Sequence, residues 1–88
     1  MSVYVDPLFA CLQNKNWKYD NSCHLVGDTE KELHAFAKKL GLKREWFHEH
    51  RRLNHYDLYK TIRAKAVKMG AIEITRREIV KMMKPRGK

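Results

Sequence analysis

The sequence predicts an α/β domain in which three short strands alternate with three helices, βαβαβα, stacked in two or three layers around a short, mainly parallel, three-stranded sheet. Three observations predict it. Short β-branched and aromatic segments alternate with stretches of helical apolar spacing. Two Thr-x-x-Glu boxes, Thr29 to Glu32 and Thr75 to Glu78, mark helix starts. Two basic helix ends, "AKKLGLKREWF" and "AVKMGAIEI", run through glycine into a β-type segment, so the chain echoes one αβ unit. Strands joined through helices favour right-handed crossovers and parallel neighbours.

The elements follow in order. "SVYV" (2–5) suits a buried strand, and Asp6-Pro7 stops it. Residues 11–28 keep no sustained period and are rich in Asn, Lys and Asp, so they read as a long polar loop that carries Trp17 and Tyr19. Thr29 caps the first helix, whose Leu33, Phe36, Ala37 and Leu40 form one stripe that Gly41 ends. "REWFH" (44–48) reads as the second strand and "EHRRLN" as a loop. Asn54 or Asp57 then caps a second helix with Leu58, Ile62, Ala66 and Met69 inward and Gly70 at its end. "AIEIT" (71–75) is the third strand, "RREIVKMM" the third helix, and residues 85–88 form a basic tail on a single domain of residues 1–84.

Composition bounds the function. At 88 residues and 43% hydrophobic content the chain holds one core. It has no apolar run of membrane length, and "MSVYVDPLF" lacks the basic and apolar regions of a signal peptide, so a cytoplasmic protein without a membrane is expected. Cys11 and Cys23 lack metal or redox spacing and are expected reduced and partly buried. The net charge of +9 is concentrated: residues 1–37 carry −2 and residues 38–88 carry +11. That field suits nucleic acid, another phosphate-bearing ligand or an acidic protein, and equally suits a solvated lysine-rich surface.

In a parallel α/β sheet the ligand crevice lies at the carboxyl ends of the strands, next to helix N-termini. On that topology Asp6, His48 and Thr75 end strands, His24 and Asp28 lead into the first helix, and His50, Arg51, Arg52 and His55 follow strand two. Arg76 and Arg77 open the third helix, so all of these residues are expected along one edge. Arginines there would bind phosphate, with Trp17 and Tyr19 stacking on bases. Asp6, Asp28 and Asp57 would hold a divalent cation, Mg or Mn, and His24, His48 or His55 would relay protons in a metal-dependent phosphoesterase. Each residue also has a structural reading: Asp6 shapes a turn, Asp28 and Asp57 serve as caps, His34 is a half-buried hydrogen-bonding residue, and Trp17 and Tyr19 pin the loop. Trp46-Phe47 reads as strand packing, and Met82-Met83 as a buried helix face.

"VYVDPL", "HLVGDTEKELHAFAKKLGL", "REWFH", "HYDL" and the later "A-x-x-x-GA-x-x-x-x-x-RE" resemble a family of small bacterial and bacteriophage proteins catalogued as domain of unknown function 4031. The resemblance spans roughly residues 2–80. It implies that Asp6, His24, Asp28, His34, His48, His55 and Asp57 are anchors of the family pattern, which adds His34 to the candidate catalytic set. It implies no activity. Three readings stand: a nucleic-acid-binding module, a metal-dependent hydrolase or nuclease, and a phage- or bacterium-encoded modulator of an acidic protein. Exposed sheet edges leave a homodimer open.

Overall fold

The computed structural model describes residues 2–13, 15, 17–49 and 53–82. Among them are six strands: β1 (Val3–Val5), β2 (Phe9–Ala10), β3 (Asn21–Gly27), β4 (Phe47–His48), β5 (His55–Leu58) and β6 (Ile72–Glu73). Three helices accompany them: α1 (Glu30–Leu40), α2 (Lys60–Lys68) and α3 (Arg76–Met82). The sheet runs β4-β5-β3-β1-β6, with β2 paired to β3. The α/β class holds, but the short, mainly parallel, three-stranded sheet does not. Only β1 and β6 run parallel, and every other pairing is antiparallel.

The correction has a definite origin in residues 21–27. This stretch lies within the expected loop, yet it forms the central strand, with Ser22, Cys23, Leu25 and Val26 all buried. A strand covered on both faces loses the alternation that would announce it. "HYDL" is a second correction. Here His55, Tyr56, Asp57 and Leu58 form β5 rather than a capped helix start, and alternate residues Tyr56 and Leu58 are the buried ones. The following helix therefore begins at Lys60, whose N–H donates to Asn21 Oδ1 at 2.8 Å in place of a cap from Tyr59. Met69, expected inside, is 38% exposed. "REWFH" begins as a single 3-10 turn, Arg44–Trp46, before the two-residue β4, and "AIEIT" contributes only the two exposed residues of β6.

The helix signals held. Thr29 Oγ1 accepts from Glu32 N–H at 3.2 Å and the Thr75 hydroxyl from Glu78 N–H at 3.1 Å. Gly41 closes α1 with φ 89°, and Gly70 follows α2 with φ 113°, both in the left-handed region that glycine enters without steric cost.

Helices α1 and α2 cover one face of the sheet, where Val5, Cys23, Leu25, Leu33, Tyr56 and Leu58 build the main core. On the other face α3 covers only one end, with Ile74 and Ile79 packed on Val26 and flanked by Tyr4, Leu53 and Met82. Beyond α3 that face carries polar side chains together with Phe9, whose ring lies 5.7 Å from that of His24. The basic tail and Met83 lie outside the described residues.

Candidate functional site

A row of imidazoles and carboxylates crosses the second face. The register pairs His48 with His55 between β4 and β5, and Asp57 with His24 between β5 and β3. Asp6 follows β1, which lies on the far side of β3. Because side chains alternate along a strand and directly opposed residues share a face, all five project to the same side. The antiparallel register, rather than a common sheet edge, brings them together.

The row is tightly connected. Asp6 is buried; its Oδ2 lies 2.8 Å from His24 Nδ1, and its Oδ1 accepts the His24 backbone N–H at 2.6 Å. His55 Nδ1 sits 3.1 Å from the Leu53 carbonyl, and its Nε2 lies 3.4 Å from Asp57 Oδ1. His48 Nε2 approaches the other Asp57 oxygen at 3.1 Å. The His24 and His55 rings meet edge to face at 4.8 Å, and those of His48 and His55 stack at 5.3 Å. His24, His55 and Asp57 each offer a ligand atom within 4.8 Å of the others, the one such group among the described residues.

The electrostatics follow from this crowding. Burial disfavours the His55 imidazolium, but the Asp57 hydrogen bond, the Leu53 carbonyl and the Asp57 and Asp6 charges outweigh it and raise the pKa above 6.5. Burial likewise opposes the Asp57 carboxylate. The His55 hydrogen bond and the His55, His48 and His24 charges more than reverse this and lower its pKa. On the opposite face of β3, burial pushes the Cys23 thiol up to about 12, so it is an inert core residue. Arg63 braces the site from α2, donating from Nε to the Asp6 carbonyl at 2.9 Å and from Nη1 to Glu73 at 3.2 Å.

A cleft of about 540 Å³ opens beside this row, with Asp57 and His48 in its lining. The loop before β3 contributes Trp17, Lys18 and Tyr19, and the segment after α1 contributes Leu42 and Trp46. Tyr19 stacks on Tyr59 at 3.7 Å, Trp17 meets Tyr19 edge to face at 5.2 Å, and Trp17 Nε1 donates to the Asn21 carbonyl. Trp46 is 49% exposed, in contrast to its expected role in strand packing, while its neighbour Phe47 packs on the core.

Four of the candidate catalytic residues, Asp6, His24, His48 and His55, therefore converge with Asp57. His34 does not: it lies under the other face on α1, its Nδ1 2.8 Å from the buried Tyr56 hydroxyl and its ring against Phe47. Asp28 does not converge either. Since β3 runs antiparallel to β1, its far end returns to the start of β1, where Asp28 accepts from the Ser2 N–H and the Tyr4 hydroxyl, both at 2.9 Å. Arg76 lies over the Phe9 ring, which itself contacts His24, and Arg77 is exposed on α3. His50, Arg51 and Arg52 lie outside the described residues. Sequence reasoning missed Tyr59, Arg63 and the exposure of Trp46. A strand reading of "HYDL" would have shown that His55 and Asp57 share a face.

The family model described as "Protein of unknown function (DUF4031)" matches residues 3–86. No curated protein and no solved structure matches the chain. None of its described helices is long and apolar enough to cross a membrane.

Proposed function

The chain belongs to the DUF4031 family, and on that premise we propose that the row on the second sheet face is a divalent-metal centre that hydrolyses phosphate esters. The observation that carries the proposal is the approach of His24, His55 and Asp57 ligand atoms to within 4.8 Å, with His24 Nδ1 already engaged by a buried carboxylate. A carboxylate on Nδ1 fixes the tautomer in which Nε2 presents its lone pair, the usual outer support of a metal-bound histidine. The Leu53 carbonyl plays the same part for His55. Asp6 is thus a positioning residue and not a ligand.

Two imidazoles and one carboxylate suit Mn, Fe, Co or Zn better than Mg, which prefers an all-oxygen shell. A metal held there would polarise a phosphoryl oxygen and acidify water. His48 is 55% exposed and its Nε2 lies 3.1 Å from an Asp57 carboxylate oxygen, which orients it to take a proton from the attacking water. As the new P–O bond forms, the bond to the leaving oxygen breaks, and that oxygen is protonated from solvent or by His48. The excess positive charge of the second half of the chain favours anionic substrates.

The test is cleavage of end-labelled single- and double-stranded DNA and RNA with Mn²⁺, Zn²⁺, Mg²⁺ or EDTA, using wild type, Asp57→Asn and His24→Ala. Cleavage supported by Mn²⁺ or Zn²⁺ and reduced at least a hundredfold in both variants is the expected result. Salt-sensitive binding without cleavage would favour a second reading, a nucleic-acid-binding module, for which the aromatic and lysine residues of the adjoining cleft speak.

A further inference from the structure

We infer that the cleft beside the histidine row is a nucleobase pocket, so that the ligand class of this protein is a nucleotide, free or at the end of a single strand. The inference rests in part on the proposed metal centre, because Asp57 and His48 belong to both the centre and the cleft lining. Its own support is independent of the metal.

The cleft has the volume of a small-molecule site, about 540 Å³, within the range that accommodates a nucleotide. Its lining combines three things a nucleotide needs in one opening. Tyr19, Tyr59 and Trp46 supply aromatic surface, Leu40 and Leu42 supply apolar surface, and Lys15 and Lys18 supply positive charge. A nucleobase is a flat, weakly hydrated ring attached to an anion, and aromatic faces bind it whatever its sequence. An apolar ligand without phosphate would gain nothing from the lysines. A simple phosphate would gain nothing from the aromatic surface.

The aromatic wall is also held in place. Tyr19 and Tyr59 lie nearly parallel, 11° apart, and the indole N–H of Trp17 is tied to the Asn21 carbonyl at the start of β3. Lys18 lies 5.5 Å from the Tyr19 ring centroid and Lys43 5.6 Å from that of Trp46, so positive charge accompanies the aromatic surface on both contributing segments. Three aromatics from a loop otherwise rich in Asn, Lys and Asp, and from the residue after β5, have been gathered around a space that opens on the metal-binding carboxylate. A rigid aromatic wall loses little conformational freedom on binding, which favours a specific small ligand.

The experiment is equilibrium dialysis of the full chain against labelled adenosine monophosphate, ribose 5-phosphate and an adenine trinucleotide, in EDTA and in Mn²⁺. Mn²⁺ binding is followed separately by electron paramagnetic resonance. Wild type is expected to bind adenosine monophosphate at least tenfold tighter than ribose 5-phosphate, even in EDTA. Trp46→Leu and Tyr19→Leu, which keep apolar bulk but remove the ring, should each weaken adenosine monophosphate about tenfold while leaving Mn²⁺ affinity unchanged. Trp46 is half exposed, so its variant tests the idea even if Tyr19→Leu disturbs the loop. A trinucleotide that binds tighter than the monophosphate identifies a strand end, and equal binding identifies a free nucleotide; both support the pocket. Equal affinity for ribose 5-phosphate and adenosine monophosphate, or unchanged nucleotide affinity in both variants, overturns it. Loss of Mn²⁺ binding with nucleotide binding intact would overturn the metal centre and leave the pocket standing.

Discussion

At the scale of single residues, the site depends on which groups hold which. Asp6 is buried and accepts from both the backbone and the ring of His24, so Asp6→Asn keeps the shape but makes a poorer acceptor and releases the tautomer. Its expected effect is a ten- to hundredfold loss of metal affinity with the fold retained, read by metal titration together with circular dichroism. The pair of His55 and Asp57 gives a pH prediction. Asp57 titrates below its unfolded value, so its contribution to stability is present above about pH 4 and is lost as pH falls through the folded pKa. His55 titrates above 6.5, so its contribution is complete below that value and is lost as pH rises through the folded pKa. In the metal-free protein, the stability difference between wild type and His55→Gln should therefore be largest between about pH 4 and 6.5, as measured by urea unfolding at several pH values. Metal affinity should move the other way with pH, weakening on acidification because His55 must give up its proton to bind. How legible were these residues in the sequence? Asp6, His24, His48, His55 and Asp57 stood out as chemistry-bearing types. His34 and Asp28 are the same types but lie apart from the row, His34 against Tyr56 and Phe47 and Asp28 at the start of β1, a distinction that needs three-dimensional placement.

At the scale of elements, the legible parts were those governed by local physics. Capping boxes and glycine ends are decided within a few residues, and α1 and α3 begin at the expected boxes. Thr29→Ala should cost about 1 kcal/mol of unfolding free energy, the typical value of such a cap. Strand β3 was illegible because residues of both its faces are buried, Ser22 and Val26 on one and Cys23 and Leu25 on the other, and "HYDL" was misread because Asp57 resembles a cap when its partners on β3 and β4 are unknown. The junction between β3 and α1 is close-packed. A Cβ on Gly27 would lie 3.1 Å from both Leu33 Cβ and the Thr29 carbonyl. Gly27→Ala should accordingly destabilise the protein by about 1–3 kcal/mol, since backbone and a buried leucine must give way together, and thermal unfolding would register it. That junction orients β3, and through it His24.

At the scale of the whole molecule, topology does the assembling. Helices α1 and α2 seal one face of the sheet, and α3 covers only an end of the other, so a row of polar residues, running from buried Asp6 to exposed His48, lies beside a second, smaller apolar cluster. A parallel sheet would have placed the candidates at one edge. The antiparallel arrangement instead spreads them across four neighbouring strands or their ends, where the cross-strand spacing sets the distances between the candidate side chains. Net charge was readable from composition alone, and it predicts a steep dependence on salt for any nucleic-acid complex. The proposed metal centre is tested most directly by calorimetric titration of the metal-free protein with Zn²⁺ and Mn²⁺. The expected result is one metal per chain for wild type, at least a hundredfold weaker binding in Asp57→Asn and His24→Ala, and unchanged binding in His34→Ala. Absence of binding, or binding that survives the loss of Asp57 and His24, would contradict it.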